Sequence, residues 1–235
     1  MTFCPGVQVS SSPCFAAQAG KPLRFAARIA IVHPNRLLAE LLAQCCERCW
    51  QCDVVLCTID RDAVPALLLQ RESDVTIVGA APGSFSCVDL LPALARAQPA
   101  ARVIVCVSKL TEYTAYKLAQ LAPQAVIEEE SGAIEELGRA IAAVRDGQRY
   151  RSPAFTRMID QRVRNQTSFD KVLTPRQEEV LRHIAVSLTD AEVAARLHLT
   201  IITAKKHRSD IMRKLGLHSS AQLVRFAQQA GFASL

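Results

Sequence analysis

The sequence predicts two domains: a doubly wound α/β domain over residues 28–147 and a small all-α module over residues 171–235. Three observations carry this. Short continuous apolar runs alternate with helically spaced stretches five times between Arg28 and Val144, the pattern of βαβ units around a buried parallel sheet. Beyond residue 170 no strand pattern remains, and four helix-start signals follow. That last segment also holds ten Lys and Arg against five Asp and Glu, so +5 of the chain's net +6 sits there. Half the 235 residues are hydrophobic and 21% are charged, which excludes a chain disordered throughout. No apolar run reaches the ~18 residues that span a bilayer, so no membrane role is expected.

Residues 1–27, rich in Ser, Pro, Gly and Ala, read as a mobile extension. They lack the basic-then-apolar order of a secretory signal, so a cytoplasmic location is expected, with the nine cysteines reduced. The first apolar run is Arg28-Ile-Ala-Ile-Val32, followed by helical spacing from Leu37 to Cys49. Val54–Cys57 and the helical stretch Ala63–Leu69 come next. Val75–Val78 ends at Gly79 and precedes a helix over Leu90–Ala97. Val103–Val107 is followed by Tyr113–Leu121, and Ala125–Ile127 by Ala133–Val144, which Gly147 stops. Five units make one doubly wound domain. The polar stretch 148–170 reads as a linker, with helical spacing between Ala154 and Val163.

The helix boundaries of the last segment are legible one by one. Thr174-Pro-Arg-Gln177 combines an N-cap, a proline at the first helical position and a glutamine at the third. Thr189-Asp-Ala-Glu192 is a second capping box, Thr200 opens a third helix that Gly216 stops, and Ser219 opens a fourth. Only His198-Leu199 separates the second helix from the cap of the third, the layout of a helix-turn-helix. Apolar positions from Val180 to Val224 suffice for one core. The third helix carries Lys205, Lys206, Arg208, Arg213 and Lys214, so the charge lies on the element that enters a major groove.

Residues 173–227 resemble the LuxR-type helix-turn-helix throughout. The resemblance rests on Leu173-Thr-Pro-Arg176, Glu179-Val-Leu181, Glu192-Val-Ala-Ala-Arg-Leu197, and Lys205-x-His207 through Ile211-x-x-Lys214-Leu215. With the α/β domain, the whole resembles a response regulator of the NarL/FixJ class, whose receiver has the flavodoxin-like fold. The resemblance implies a transcription regulator that binds double-stranded DNA as a homodimer, two modules reading two half-sites. It places Lys205, Lys206 and Ser209 in the groove and Thr203, Arg208 and Lys214 against phosphates, with Thr200 and Arg213 completing the surface. Ala204 departs from the family's usual valine. Ile201-Ile202 replaces its common proline and polar residue, leaving an apolar spot beside the DNA.

A receiver of that class holds Mg²⁺ on acidic residues after its first strand and takes phosphate on an aspartate after its third. A Ser or Thr follows the fourth strand and a Lys the fifth; metal and lysine neutralise the phosphoryl group. Here His33-Pro34 follow the first strand, Gly79 follows the third, Ser108 the fourth and Glu128 the fifth, with Pro82-Gly83 helping to fix the register. Glycine has no side chain to phosphorylate, and Glu128-Glu-Glu130 repels phosphate. The expectation is a degenerate pseudo-receiver that is independent of aspartyl phosphorylation. The alternative is an adaptor, or a ligand- or redox-sensing regulator, acting through contacts of the pseudo-receiver with a partner regulator.

Cys46, Cys49 and Cys52 have spacing that admits a metal or redox role. Cys45 and Cys46 also continue the apolar stripe of Leu38, Leu41 and Leu42, where buried cysteine acts as a small hydrophobe, and this reading is preferred; Cys49 and Cys52, at the helix end, are expected to be more accessible. No metal or other cofactor is expected. No phosphate loop, triad or paired-carboxylate pattern points to an enzyme.

Overall fold

The computed structural model describes residues 27–80, 87–130, 134–165 and 168–234. The extension at 1–26 and Pro82-Gly83 lie outside the described residues. Six strands alternate with helices through β1 (Arg28–Val32), α1 (Arg36–Trp50), β2 (Asp53–Thr58), α2 (Val64–Gln70), β3 (Val75–Ala80) and α3 (Cys87–Ala97). The series continues through β4 (Arg102–Val107), α4 (Glu112–Leu121), β5 (Ala125–Glu128), α5 (Ile134–Arg145) and β6 (Tyr150–Arg151). The sheet is parallel, in the order β2-β1-β3-β4-β5-β6.

Strand alternation divides the core in two. Ala30, Val32, Val78, Val105, Val107 and Val126 face α2, α3 and α4. Ile29, Ile31, Ile77, Ile104, Cys106 and Ile127 face α1 and α5. Burial on both faces explains why the strands read as continuous apolar runs rather than as alternating ones.

The stretch read as a linker contains ordered structure. Tyr150–Arg151 adds β6 beside β5, and Arg151 Nη1 donates to the Pro123 carbonyl at 2.9 Å. Helix α6 (Pro153–Arg164) follows, capped by Ser152, whose hydroxyl accepts from Phe155 N–H at 3.0 Å. Phe155 is buried against the α/β core, with Met158 and Ile159 beside it. Three apolar residues at helical spacing anchor α6 despite its polar composition.

The C-terminal module comprises a short α7 (Phe169–Val172), then α8 (Pro175–Ala185), α9 (Asp190–Leu197), α10 (Ile201–Leu215) and α11 (Ser220–Ala230), closing on a 3₁₀ turn at Phe232–Ser234. Both capping boxes form reciprocally, at Thr174/Gln177 and Thr189/Glu192. Gly216 stops α10 at φ 66°. Val180, Leu181, Ile184, Val193, Ala194, Leu197, Ile211 and Leu223 make its core.

Helix α4 docks on this module. Tyr113, 1% exposed, stacks on Phe232 at a centroid distance of 4.1 Å and meets Phe169 at 5.7 Å. Lys117 pairs with the buried Glu178 at 3.1 Å. Gly231 passes Thr111 so closely that a Cβ there would lie 1.9 Å from the Thr111 hydroxyl.

Candidate functional site

Helix α10 begins where the Thr200 hydroxyl accepts from Thr203 N–H at 3.1 Å; the two hydroxyls also bond each other at 2.8 Å. Its inner face buries Ala204 and Ile211, with Met212 and Leu215 packed beside them. The methyl of Ala204 fills the position where valine was expected. The outer face carries Ile202, Lys205, Lys206, Ser209 and Arg213, all exposed. These positions recur at intervals of three, four, seven and eleven residues, so they form one stripe along the helix.

The other expected contacts are placed differently. Thr203 is half-buried. Arg208 faces α9: its Nε donates to Asp190 Oδ1 at 2.6 Å and Nη2 donates to the Leu188 carbonyl at 3.3 Å. Its guanidinium is thus held inside the module. Lys214 Nζ donates to Gln177 Oε1 at 2.9 Å, and Arg213 meets Asp210 at 2.7 Å while remaining 77% exposed. An ion pair that exposed yields readily to another anion.

At the C-terminal edge of the sheet, His33 is buried beside Gly79. Its Nδ1 lies 3.0 Å from Asn35 N and 3.2 Å from the Asn35 carbonyl, and its Nε2 lies 2.9 Å from Glu129 Oε1. A Cβ on Gly79 would lie 2.0 Å from His33 Cδ2, so the imidazole occupies the space a side chain would need. Glu128 turns away, and its Oε1 accepts from Leu110 N–H at 2.8 Å. Pro34 and Ser108 are half-buried at strand ends; Ser108 N–H donates to the Ala80 carbonyl at 3.1 Å. Sequence reasoning placed Glu128 at this position and counted Glu129 only as part of the acidic run; the structure brings Glu129, not Glu128, to His33. Strand parity was the available signal: Ile31 and His33 share one face, as do Ile127 and Glu129.

Cys46 and Cys52 lie in the core under α1, and Cys49 is half-buried. Burial pushes the Cys46 thiol far up and the Cys52 thiol up to about 11. Thiolate, the nucleophile and metal ligand, is therefore disfavoured at both. Among the described residues, no three His, Cys, Asp or Glu side chains converge as a metal site, and no helix is long and apolar enough to cross a membrane.

Residues 171–227 match the family of bacterial regulatory proteins, luxR family. The chain is 30% identical over 135 residues to the uncharacterized response regulatory protein YgeK of Escherichia coli (strain K12), covering 57% of this chain and 90% of that one. It is 28% identical over 152 residues to the transcriptional regulatory protein MctR of Rhizobium johnstonii, covering 64% and 69%. Among solved structures, the response regulator RcsB in complex with DNA shares the fold at TM-score 0.59 and 21% identity, covering 87% of this chain and 99% of that one. RcsB from Salmonella enterica serovar Typhimurium bound to promoter rprA gives TM-score 0.63 at 20% identity, with coverage of 87% and 99%.

A parallel receiver-like domain joined to a helix-turn-helix module with a basic third helix defines a two-domain regulator of the response-regulator type. The chain belongs to the response regulators that carry a luxR-family module.

Proposed function

We propose that the protein is a sequence-specific transcription regulator that binds double-stranded DNA as a homodimer without needing aspartyl phosphorylation. The observation that carries the DNA reading is the exposed stripe of α10, where Lys205, Lys206, Ser209 and Arg213 project from the face opposite the core. Lysine ammonium groups reach guanine O6 and N7 in the major groove, while phosphate contacts add salt-dependent affinity. Thr200 and Thr203 at the helix start, and Arg213 and Lys214 at its end, flank these base-reading positions. The capture of Arg208 by Asp190 makes it a brace between α9 and α10. Solved RcsB relatives include two dimers bound to two parallel DNAs, which supports the homodimer. A double-stranded DNA target supports a cytoplasmic site of action.

Independence from phosphorylation rests on the Gly79 site. Its side-chain space is taken by the His33 imidazole, and the neighbouring charged group is the Glu129 carboxylate rather than a cation. One RcsB relative was solved with the phosphomimetic BeF3-; Gly79 offers no carboxylate for such a group. Selection from a randomised duplex library, followed by anisotropy titration at physiological salt, tests the DNA reading. Tight binding of selected over scrambled duplex is expected. Binding that ignores sequence would favour an adaptor acting through the pseudo-receiver. Incubation with acetyl phosphate and Mg²⁺ tests the second part, and stoichiometric acid-labile phosphate on the α/β domain would refute it.

A further inference from the structure

The exposed stripe of α10 does not begin with a charge. Ile202, at its N-terminal end, is 81% exposed, and Ile201 beside it is 49% exposed. A single exposed apolar residue is ordinary on a protein surface. Two adjacent β-branched residues opening a solvent-facing helix are poor helix formers there, and Ile202 buries little against this chain. Ile202 also stands three and four residues before Lys205 and Lys206, so the three project from one face. The Thr200 and Thr203 hydroxyls, either side of the pair in sequence, bond each other. No acidic residue stands in the first turn to repel a nucleic acid.

The N-terminal residues of a recognition helix are those that meet base edges. The apolar group a T·A pair presents in the major groove is the thymine C5 methyl. We infer that Ile202 is a specificity-determining residue that packs on a thymine methyl in each half-site, immediately beside the bases read by Lys205 and Lys206. This rests on the DNA-binding reading above and deepens it. The recognised chemistry is a pyrimidine C5 methyl, which 5-methylcytosine also carries; thymine is the assignment made here. Burying one methyl corresponds to about a fourfold change in affinity.

The full-length protein first selects its operator from a randomised library. Each thymine of that operator is then replaced singly by deoxyuridine, which removes the methyl and leaves the hydrogen-bonding edge intact. Anisotropy titrations are expected to show about a fourfold loss for the parent at one thymine per half-site. Ile202→Ala is expected to bind the thymine and deoxyuridine duplexes equally at that position. Its salt slope should match the parent's, because no phosphate contact is removed, and that match also shows the module is folded. Equal binding of both duplexes by the parent at every thymine would overturn the inference. So would an unchanged thymine preference in Ile202→Ala. A further duplex carries 5-methylcytosine·guanine at the critical pair; binding tighter than to thymine·adenine would overturn the assignment to thymine. Enrichment of no sequence at all would contradict DNA reading itself, and this inference with it; that outcome is distinct from an operator indifferent to thymine methyls.

Discussion

Gly79→Ala puts one methyl where the His33 imidazole lies. In a strand interior, alanine in place of glycine is ordinarily neutral or stabilising by up to about 1 kcal/mol. Here the new Cβ would sit 2.0 Å from His33 Cδ2, far inside van der Waals contact. The ring cannot swing aside cheaply, because it is 2% exposed and held by Asn35 N–H at one nitrogen and Glu129 at the other. Overpacking of this kind costs roughly 3 kcal/mol. His33→Ala makes room, so Gly79→Ala in that background should cost less than about 1 kcal/mol, a coupling of about 2 kcal/mol between contacting residues. Trp50 is the chain's one tryptophan. It packs in the α/β core against Gly138, so its fluorescence reports on that domain alone. With a urea slope of about 2 kcal/mol per molar, the single variant should lower the midpoint by about 1.5 M. An unchanged midpoint, or an equal loss in the His33→Ala background, would refute the claim that the imidazole excludes a side chain at residue 79.

Lys205→Ala should weaken operator binding by about 1–3 kcal/mol and relax selectivity at one base pair, whereas Lys214→Ala should chiefly lower the salt slope by about 1, both read by titration across salt. Arg208→Ala should leave the salt slope unchanged but lower the module's melting transition, measured by far-UV circular dichroism, because it strips Asp190 of its guanidinium partner. Gly231→Ala should loosen the seat of the module on α4, since residue 231 has φ 88° and no room beside Thr111; limited proteolysis between the domains should accelerate. Iodoacetamide at pH 8 should modify Cys57 in the native protein but spare Cys46 and Cys106 until denaturant is added, because the Cys57 thiol, though also raised, is exposed, whereas Cys46 and Cys106 are buried and pushed far higher; peptide mapping distinguishes them.

The parts of the fold legible in the sequence were those set by local chemistry. Thr174, Thr189, Thr200 and Ser219 each announce a helix because an N-cap needs only its own side chain and the next turn. Strands β1, β3 and β4 were legible because burial on both faces makes nearly every residue apolar, Arg28, Thr76 and Arg102 apart. Strand β6 was not: two residues show no period, and Tyr150–Arg151 joins the sheet only because β5 offers a free edge. Helix α6 was legible as a helix but not as part of the domain, since Phe155 alone is fully buried. The basic stripe of α10 followed from helical spacing, yet the inward turn of Arg208 depends on Asp190, eighteen positions earlier, and on the angle between two helices. The glycine at 79 was visible in the sequence as a position with no side chain. That a histidine ring fills its space could be learned only from the packing of β1 against β3.

The most direct test titrates the selected operator, and a scrambled duplex, with the full-length protein in the presence and absence of beryllofluoride and Mg²⁺. The operator isotherms are expected to superimpose and to lie at least a thousandfold tighter than the scrambled duplex at physiological salt. A tenfold tightening on adding beryllofluoride, or equal affinity for both duplexes, would contradict a phosphorylation-independent, sequence-reading regulator.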